Sequence, residues 1–153
     1  MHPPKKGMVI SMNIIRTENS EACIGLCVEV FVREQGIPLE SETDSFDLPG
    51  SGAFHFLLIE KGEPIGTFRC IPSGRDVLRF GRFCILKSKR GKHYGKLAMC
   101  YAEGFAKGKG FSEIEIHAQC RAVGFYESCG YTVVSDVFDE DGIPHQAMKK
   151  AIT

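Results

Sequence analysis

The 153-residue chain has no excess of either charge, no C-x-x-C pair, no G-x-G-x-x-G fingerprint and no long apolar run. Nineteen lysines and arginines balance nineteen aspartates and glutamates. That balance argues against a dedicated nucleic-acid binder, whose phosphate contacts demand a basic excess. The longest purely aliphatic or aromatic stretch, Phe56–Ile59, is far too short to cross a bilayer. The opening residues Met1–Met8 carry charge but no apolar segment. They are not a secretory signal and read as part of a frayed arm over residues 1–10. Internal repeats and low-complexity linkers are also missing, which leaves residues 11–153 as one domain.

The seven cysteines (Cys23, Cys27, Cys70, Cys84, Cys100, Cys120 and Cys129) are odd in number and mostly sit in apolar surroundings. This usage fits small hydrophobes in a reducing, cytoplasmic compartment, with a zinc site as the sharper alternative. Apolar residues make up 43% and charged residues 25%, a globular composition. Seventeen glycines exceed the roughly 7% of average usage, so tight turns and close backbone contacts are expected.

A strand is expected at Met12–Thr17. Ala22, Cys23, Leu26, Cys27, Val30 and Phe31 recur at helical spacing, so Asn19–Glu34 reads as an amphipathic helix stopped by Gly36 and Pro38. An acidic loop with Glu40, Glu42, Asp44 and Asp47 follows. Phe54–Glu60, Ile65–Ile71 and Val77–Leu86 read as strands joined by short turns, hence an antiparallel meander. A second helix carries Leu97, Ala98, Tyr101, Ala102 and Phe105 and ends at Gly108 and Gly110. Ile114–Ala118 reads as a strand and Arg121–Cys129 as a short helix closed by Gly130. Tyr131–Phe138 and His145–Ile152 read as two last strands around a turn at Asp139–Pro144. The order implies an α/β or α+β sandwich on one mostly antiparallel sheet.

The segment Phe83–Leu97 is the most informative. A buried strand enters a basic, glycine-containing turn that opens a helix. Unpaired amides and the positive end of the helix dipole meet there, and Lys87, Lys89, Arg90, Lys92 and Lys96 add charge. Together they predict a phosphate or pyrophosphate site. It is not a Walker A loop, because Gly91 and Gly95 have the wrong spacing and Leu97 follows Lys96.

This turn and a downstream segment, Ala118–Tyr131, together resemble the GNAT superfamily of acetyl-CoA-dependent N-acetyltransferases. The superfamily's loop R/Q-x-x-G-x-G/A appears as Arg90-Gly91-Lys92-His93-Tyr94-Gly95, with His93 in place of the first glycine. Its A-x-x-F-Y-x-x-x-G-F/Y helix appears as Ala122 to Tyr131. Val30–Pro38, Glu42-Thr43-Asp44, His55 and the ending Phe138–Met148 are similar to the ElaA/YjcF-like branch. The resemblance runs from Asn13 to Lys150.

The resemblance implies the GNAT fold, with splayed central strands that admit the pantetheine arm. Phe83, Cys84 and Ile85 would meet that arm, and Arg90, Gly91, Lys92, His93, Tyr94, Gly95 and Lys96 would hold the pyrophosphate. Gln119 and Tyr126 would complete the coenzyme site. No metal is implied. The amine would attack the thioester directly, with the Ile85 amide facing the oxyanion and Tyr126 as proton donor. The general base stays open among Glu34, His55, His117, Glu140 and His145. Glu34 and His145 stand with Tyr126 as the catalytic set. Cys84 and Cys129 read as packing residues rather than nucleophiles. If the acidic segments Glu40–Asp47 and Asp136–Asp141 flank the acceptor mouth, they favour a cationic amine. The acceptor would be a small-molecule or peptide amine, and the C-terminal edge strands offer a homodimer contact. Two alternatives stand beside this reading: a coenzyme A-binding regulatory module without turnover, and a binder of another phosphate ligand.

Overall fold

The structure is a computed structural model and describes residues 12–152, so the arm expected over residues 1–10 lies outside the described residues. The expected strand at the start forms as β1 (Met12–Thr17). Helix α1 (Ser20–Cys27) starts where the Asn19 side chain accepts a hydrogen bond from the Ala22 amide at 3.4 Å. The expected single α-helix over Asn19–Glu34 does not form. From Val28 to Glu34 the chain widens into π-helical turns, closed by the Gln35 amide on Val30 O (3.1 Å) and the Ile37 amide on Phe31 O (2.8 Å). Apolar spacing alone does not separate the two windings. Gly36, at φ +76°, then ends the helix as expected.

The meander is β2 (Phe54–Glu60), β3 (Glu63–Pro72) and β4 (Val77–Ile85), antiparallel throughout. Lys61 and Gly62 both have positive φ, which matches the twist of a two-residue hairpin. Helix α2 (Tyr94–Gly108) leads to β5 (Glu113–Gln119), which pairs parallel to β4. Helix α3 (Val123–Ser128), β6 (Thr132–Val133), β7 (Phe138–Glu140) and β8 (Ile143–Ala151) complete the chain. The sheet order is β1-β2-β3-β4-β5-β8-β6, with β7 also on β8.

The expected strand Tyr131–Phe138 is broken in two. Between the pieces, Ser135 Oγ accepts from the Ala147 amide at 2.8 Å, so a side chain replaces a ladder partner. The turn also tightens to Asp141-Gly142, again with both φ positive, and Ile143 and Pro144 already belong to β8.

Alternation along β2 supplies both layers. Phe56 and Leu58 face a core with Ala98, Met99, Ala102 and Ala106 of α2. Leu57 faces Cys23, Leu26, Cys27 and Val30 on the other side. Phe56, Phe68 and Phe80 stack across three strands, with centroids 4.7 and 5.1 Å apart. Fully burying rings of this kind contributes about 1.5–3 kcal/mol each. No helix among the described residues is long and apolar enough to cross a membrane.

Gly66 is fixed by space, because a Cβ there would stand 2.7 Å from the Cys84 carbonyl oxygen. Gly104, inside α2, meets nothing within 4 Å. Urea denaturation should show Gly66→Ala losing about 1–3 kcal/mol and Gly104→Ala gaining about 0.5–1 kcal/mol.

Candidate active site

The parallel ladder of β4 and β5 spans Val77–Phe80 against Glu113–Ile116 and then ends, although the strands run on to Ile85 and Gln119. Beyond that point they splay. A bulge helps to turn β4 away. Thr67 pairs with Cys84 and Arg69 with Gly81, so Arg82 and Phe83 oppose Phe68 alone. Arg82 takes φ +47° at this bend. Two hollows of about 510 and 430 Å³ open at the splay and share Phe31, Gln35, Phe83 and Phe125.

The smaller hollow holds the basic turn. Of the residues expected to bind coenzyme, Phe83, Cys84, Ile85, Arg90, Gly91, His93, Tyr94, Gly95 and Lys96 line it. Helix α2 begins at Tyr94, and its first internal bond is Leu97 N–H to His93 O. The amides just before Leu97 are thus left for a ligand. His93 adopts the left-handed conformation, φ 62° and ψ 16°. It therefore keeps a backbone shape that the superfamily's glycine reaches without strain, and histidine is among the residues enriched there. Gly95 allows α2 to approach α3, since a Cβ would lie 2.9 Å from Phe125 Cζ.

Two carboxylates brace this turn from behind. Glu34 receives both Arg90 guanidinium nitrogens at 2.7 and 2.8 Å, while Arg90 Nε donates to Ile85 O at 2.9 Å. Glu34 thus positions the loop, and the Arg90 hydrogen bond holds its carboxyl below the usual range. Glu60, with 4% exposure, accepts from Lys89 at 2.7 Å, from Lys92 at 3.5 Å and from the Tyr94 hydroxyl. Lys92 is held here and does not line the hollow.

The larger hollow is walled by charge. Arg69 grips Asp44 at 2.8 and 3.0 Å, and Arg82 grips both Asp47 oxygens at 2.8 and 3.0 Å. These aspartates neutralise β3 and β4 arginines, so they do not supply the free negative field expected of the segment Glu40–Asp47. Glu140 from the second acidic segment is engaged as well: it stands 3.7 Å from Arg79, 3.2 Å from His117 Nδ1 and 3.6 Å from His145 Nε2. Arg79 approaches His117 Nδ1 at 2.6 Å. Arginine only donates, so Nδ1 must accept and the proton lies on Nε2, near Glu115. His145 Nδ1 donates to Ile143 O at 2.7 Å. His55 lies apart from both hollows and donates through Nε2 to Phe46 O at 3.1 Å.

Tyr126 and Gln119 line the larger hollow rather than the smaller. Tyr126 is buried, and that burial pushes its phenol pKa up. Gln119 donates to Gln35 Oε1 at 2.9 Å, a bridge from β5 to the end of the first helix. Cys84 is buried beside Cys27, and its hydrogen bond to the Cys27 sulfur together with burial raises its thiol pKa. Sequence reasoning missed Gln35, Glu60, Arg69, Arg79 and Arg82, whose roles arise from pairing across distant segments. Glu42 stood there in the acidic loop and in the branch-like Glu42-Thr43-Asp44 stretch, with no role given to it.

Hydrogen bonds from Lys89 and Tyr94 lower the Glu60 carboxyl from 4.5 to about 2. A carboxyl depressed in the fold stabilises it above the ordinary value and loses that contribution as pH falls toward the folded one. Thermal melts should therefore fall between pH 4.5 and pH 2 more steeply for the natural chain than for Glu60→Gln.

Comparison with known proteins agrees with this geometry. The acetyltransferase (GNAT) domain family matches residues 14–152. The N-acetyltransferase YjcF of Bacillus subtilis, named as uncharacterised, is 36% identical over 124 residues, covering 80% of this chain and 85% of its own. A crystal structure assigned as an N-acetyltransferase from Lactobacillus plantarum superposes with a TM-score of 0.86 at 37% identity, covering 94% of this chain and 99% of that one. Escherichia coli ElaA superposes with a TM-score of 0.79 at 25% identity, covering 93% and 99%. The splayed sheet, the basic turn at the head of α2 and these likenesses agree: the chain belongs to the GNAT acetyltransferase family, in its ElaA/YjcF-like branch.

Proposed function

We propose that the chain is an N-acetyltransferase that moves an acetyl group from acetyl-CoA to a primary amine by direct attack within a ternary complex. The observation that carries the reading is the meeting of two hollows at the β4–β5 splay. One is lined by the phosphate-type turn, the other by polar and ionisable groups. Their shared wall at Phe31, Gln35, Phe83 and Phe125 gives a donor and an acceptor a common boundary.

The residues fit the coenzyme. Unpaired amides at the start of α2 suit a pyrophosphate. Gly91 has φ +80° with open space at its missing Cβ, so the backbone can lie close to a ligand. Phe83, Cys84 and Ile85 offer the edge of β4 left unpaired on its β5 side to an extended arm. Bound there, acetyl-CoA supplies the activated thioester. The chain's own tasks are to exclude water, orient the amine, meet the oxyanion and protonate the departing thiolate. Amides of β4 beyond the ladder suit the oxyanion, that of Ile85 first. Tyr126 suits the proton, because a phenol stays protonated at neutral pH and this one lines the larger hollow at the splay. The arrangement has no need of an acyl-enzyme, and the protonated Cys84 thiol is a poor nucleophile.

Thermal shift with acetyl-CoA, set beside dephospho-CoA and ATP, tests the binding half. Ligand at 100 times its Kd stabilises by about 2.7 kcal/mol, which should raise the melting temperature by roughly 5–10 °C. A shift no larger than that with ATP would overturn the coenzyme assignment. Tyr126→Phe should lower kcat about 10²–10⁴-fold with acetyl-CoA affinity unchanged, as read from thiol release and calorimetry.

A further inference from the structure

Each titratable group weighed from the sequence as the general base has a polar or charged group set against it. Glu34 is clamped by Arg90, and His55 by the Phe46 carbonyl. His117 has its lone pair on Arg79. Glu140 stands within 3.7 Å of Arg79, His117 and His145, and His145, whose Nδ1 donates to Ile143 O, turns Nε2 toward that carboxylate at 3.6 Å. Among the other acids lining the larger hollow, Asp44 is bound by Arg69. Asp141 is exposed in the β7–β8 turn, where water solvates it.

Glu42 stands apart from all of these. It lines the larger hollow with 4% exposure, and among the described residues no hydrogen bond or ion pair reaches its carboxyl. It closes the short helical turn Leu39–Glu42, just ahead of the box in which Asp44 caps Ser45–Asp47 and Asp47 accepts from the Asp44 amide. That box and the grip of Arg69 and Arg82 fix the strap, so Glu42 is held at the wall of the hollow that also contains Tyr126 and Phe83.

We propose that Glu42 is the general base of this site, taking the proton from the ammonium of the incoming amine. The assignment rests on the acetyl-transfer reading above. The ammonium passes one proton to the Glu42 carboxylate, which leaves a neutral amine. Its nitrogen lone pair forms the C–N bond at the thioester carbonyl. The C–S bond then breaks, and the thiolate takes a proton from Tyr126. The second N–H proton restores the tyrosine through solvent, and Glu42 releases its own proton to water. The net products are the amide, the free thiol and one proton.

The charges around Glu42 suit this task. Arg82 and Arg69 lie near enough to favour its ionised form, but Asp47 and Asp44 already neutralise them, and Asp47 and Asp141 oppose ionisation. Burial is the largest influence and raises the carboxyl above its ordinary value, nearer to neutral pH, where a base works best.

Two amines of similar shape test the assignment: ethylamine, protonated in neutral water, and trifluoroethylamine, largely neutral there. Acetyl-CoA turnover is followed by thiol release at high amine concentration, and acetyl-CoA affinity is measured separately by calorimetry. Glu42→Gln should lower kcat/KM for ethylamine by about 10²–10⁴-fold, change that for trifluoroethylamine little, and leave acetyl-CoA affinity unaltered. Glu42→Asp should show the same selectivity with a smaller loss, and it carries the comparison if Glu42→Gln does not fold. An equal loss for both amines would assign Glu42 to cavity shape and overturn the proposal, as would no loss for either. Acetyl-CoA binding without turnover of either amine by the natural chain would overturn the base role while leaving the coenzyme site standing. Failure to bind acetyl-CoA would instead remove the reading on which the proposal rests.

Discussion

Four residue pairs hold β4 to β5, and the site depends on the absence of a fifth. Past Phe80 and Ile116 the strands no longer satisfy one another. Backbone groups left without partners in a protein interior cost about 1–3 kcal/mol each. Three features keep the gap open. The bulge at Arg82 and Phe83 turns β4 outward, the Gln35–Gln119 bridge props β5 against the widened end of the first helix, and Phe125 packs against Gly95 below. The hollows are therefore a consequence of strand geometry, walled by strands, by the strap that carries Glu42 and by the basic turn ahead of α2.

Charge then divides the gap into two kinds of surface. Behind the phosphate turn, Glu34 and Glu60 hold Arg90, Lys89 and Lys92, so much of the turn's positive charge is matched before any ligand arrives. Backbone amides and the remaining cations are left to recognise an anion. On the opposite side, arginines of β3 and β4 bind the aspartates of the strap. This inverts the plain reading of an acidic segment beside a site. Its aspartates organise the wall, and the glutamate just ahead of them keeps its chemistry.

Much of this was legible in the sequence. Apolar spacing and turn residues placed the meander, α2 and β5, and the paired motifs placed the phosphate turn. What the sequence hid was settled at long range. The π-helical turns follow from how Val30, Phe31 and Gln35 pack, not from their spacing. The split of β6 from β7 depends on one serine oxygen reaching the Ala147 amide. Tyr126 was found through its motif, but which hollow it enters depends on the tilt of α3. Glu42 was visible in the branch-like Glu42-Thr43-Asp44 stretch, but its lack of a partner is a property that composition cannot express.

The short seam between β4 and β5 also bears on how the chain assembles. On one side, β2, β3 and β4 meet through short turns. On the other, β7 and β8 form a two-residue hairpin, with β6 close upstream. Each half closes small loops and can collapse quickly. Joining them requires α2 to span the gap and bring Glu113–Ile116 beside Val77–Phe80. The cleft exists only once these two sets of strands are joined, so the contact that unites the sheet and the working surface lie side by side.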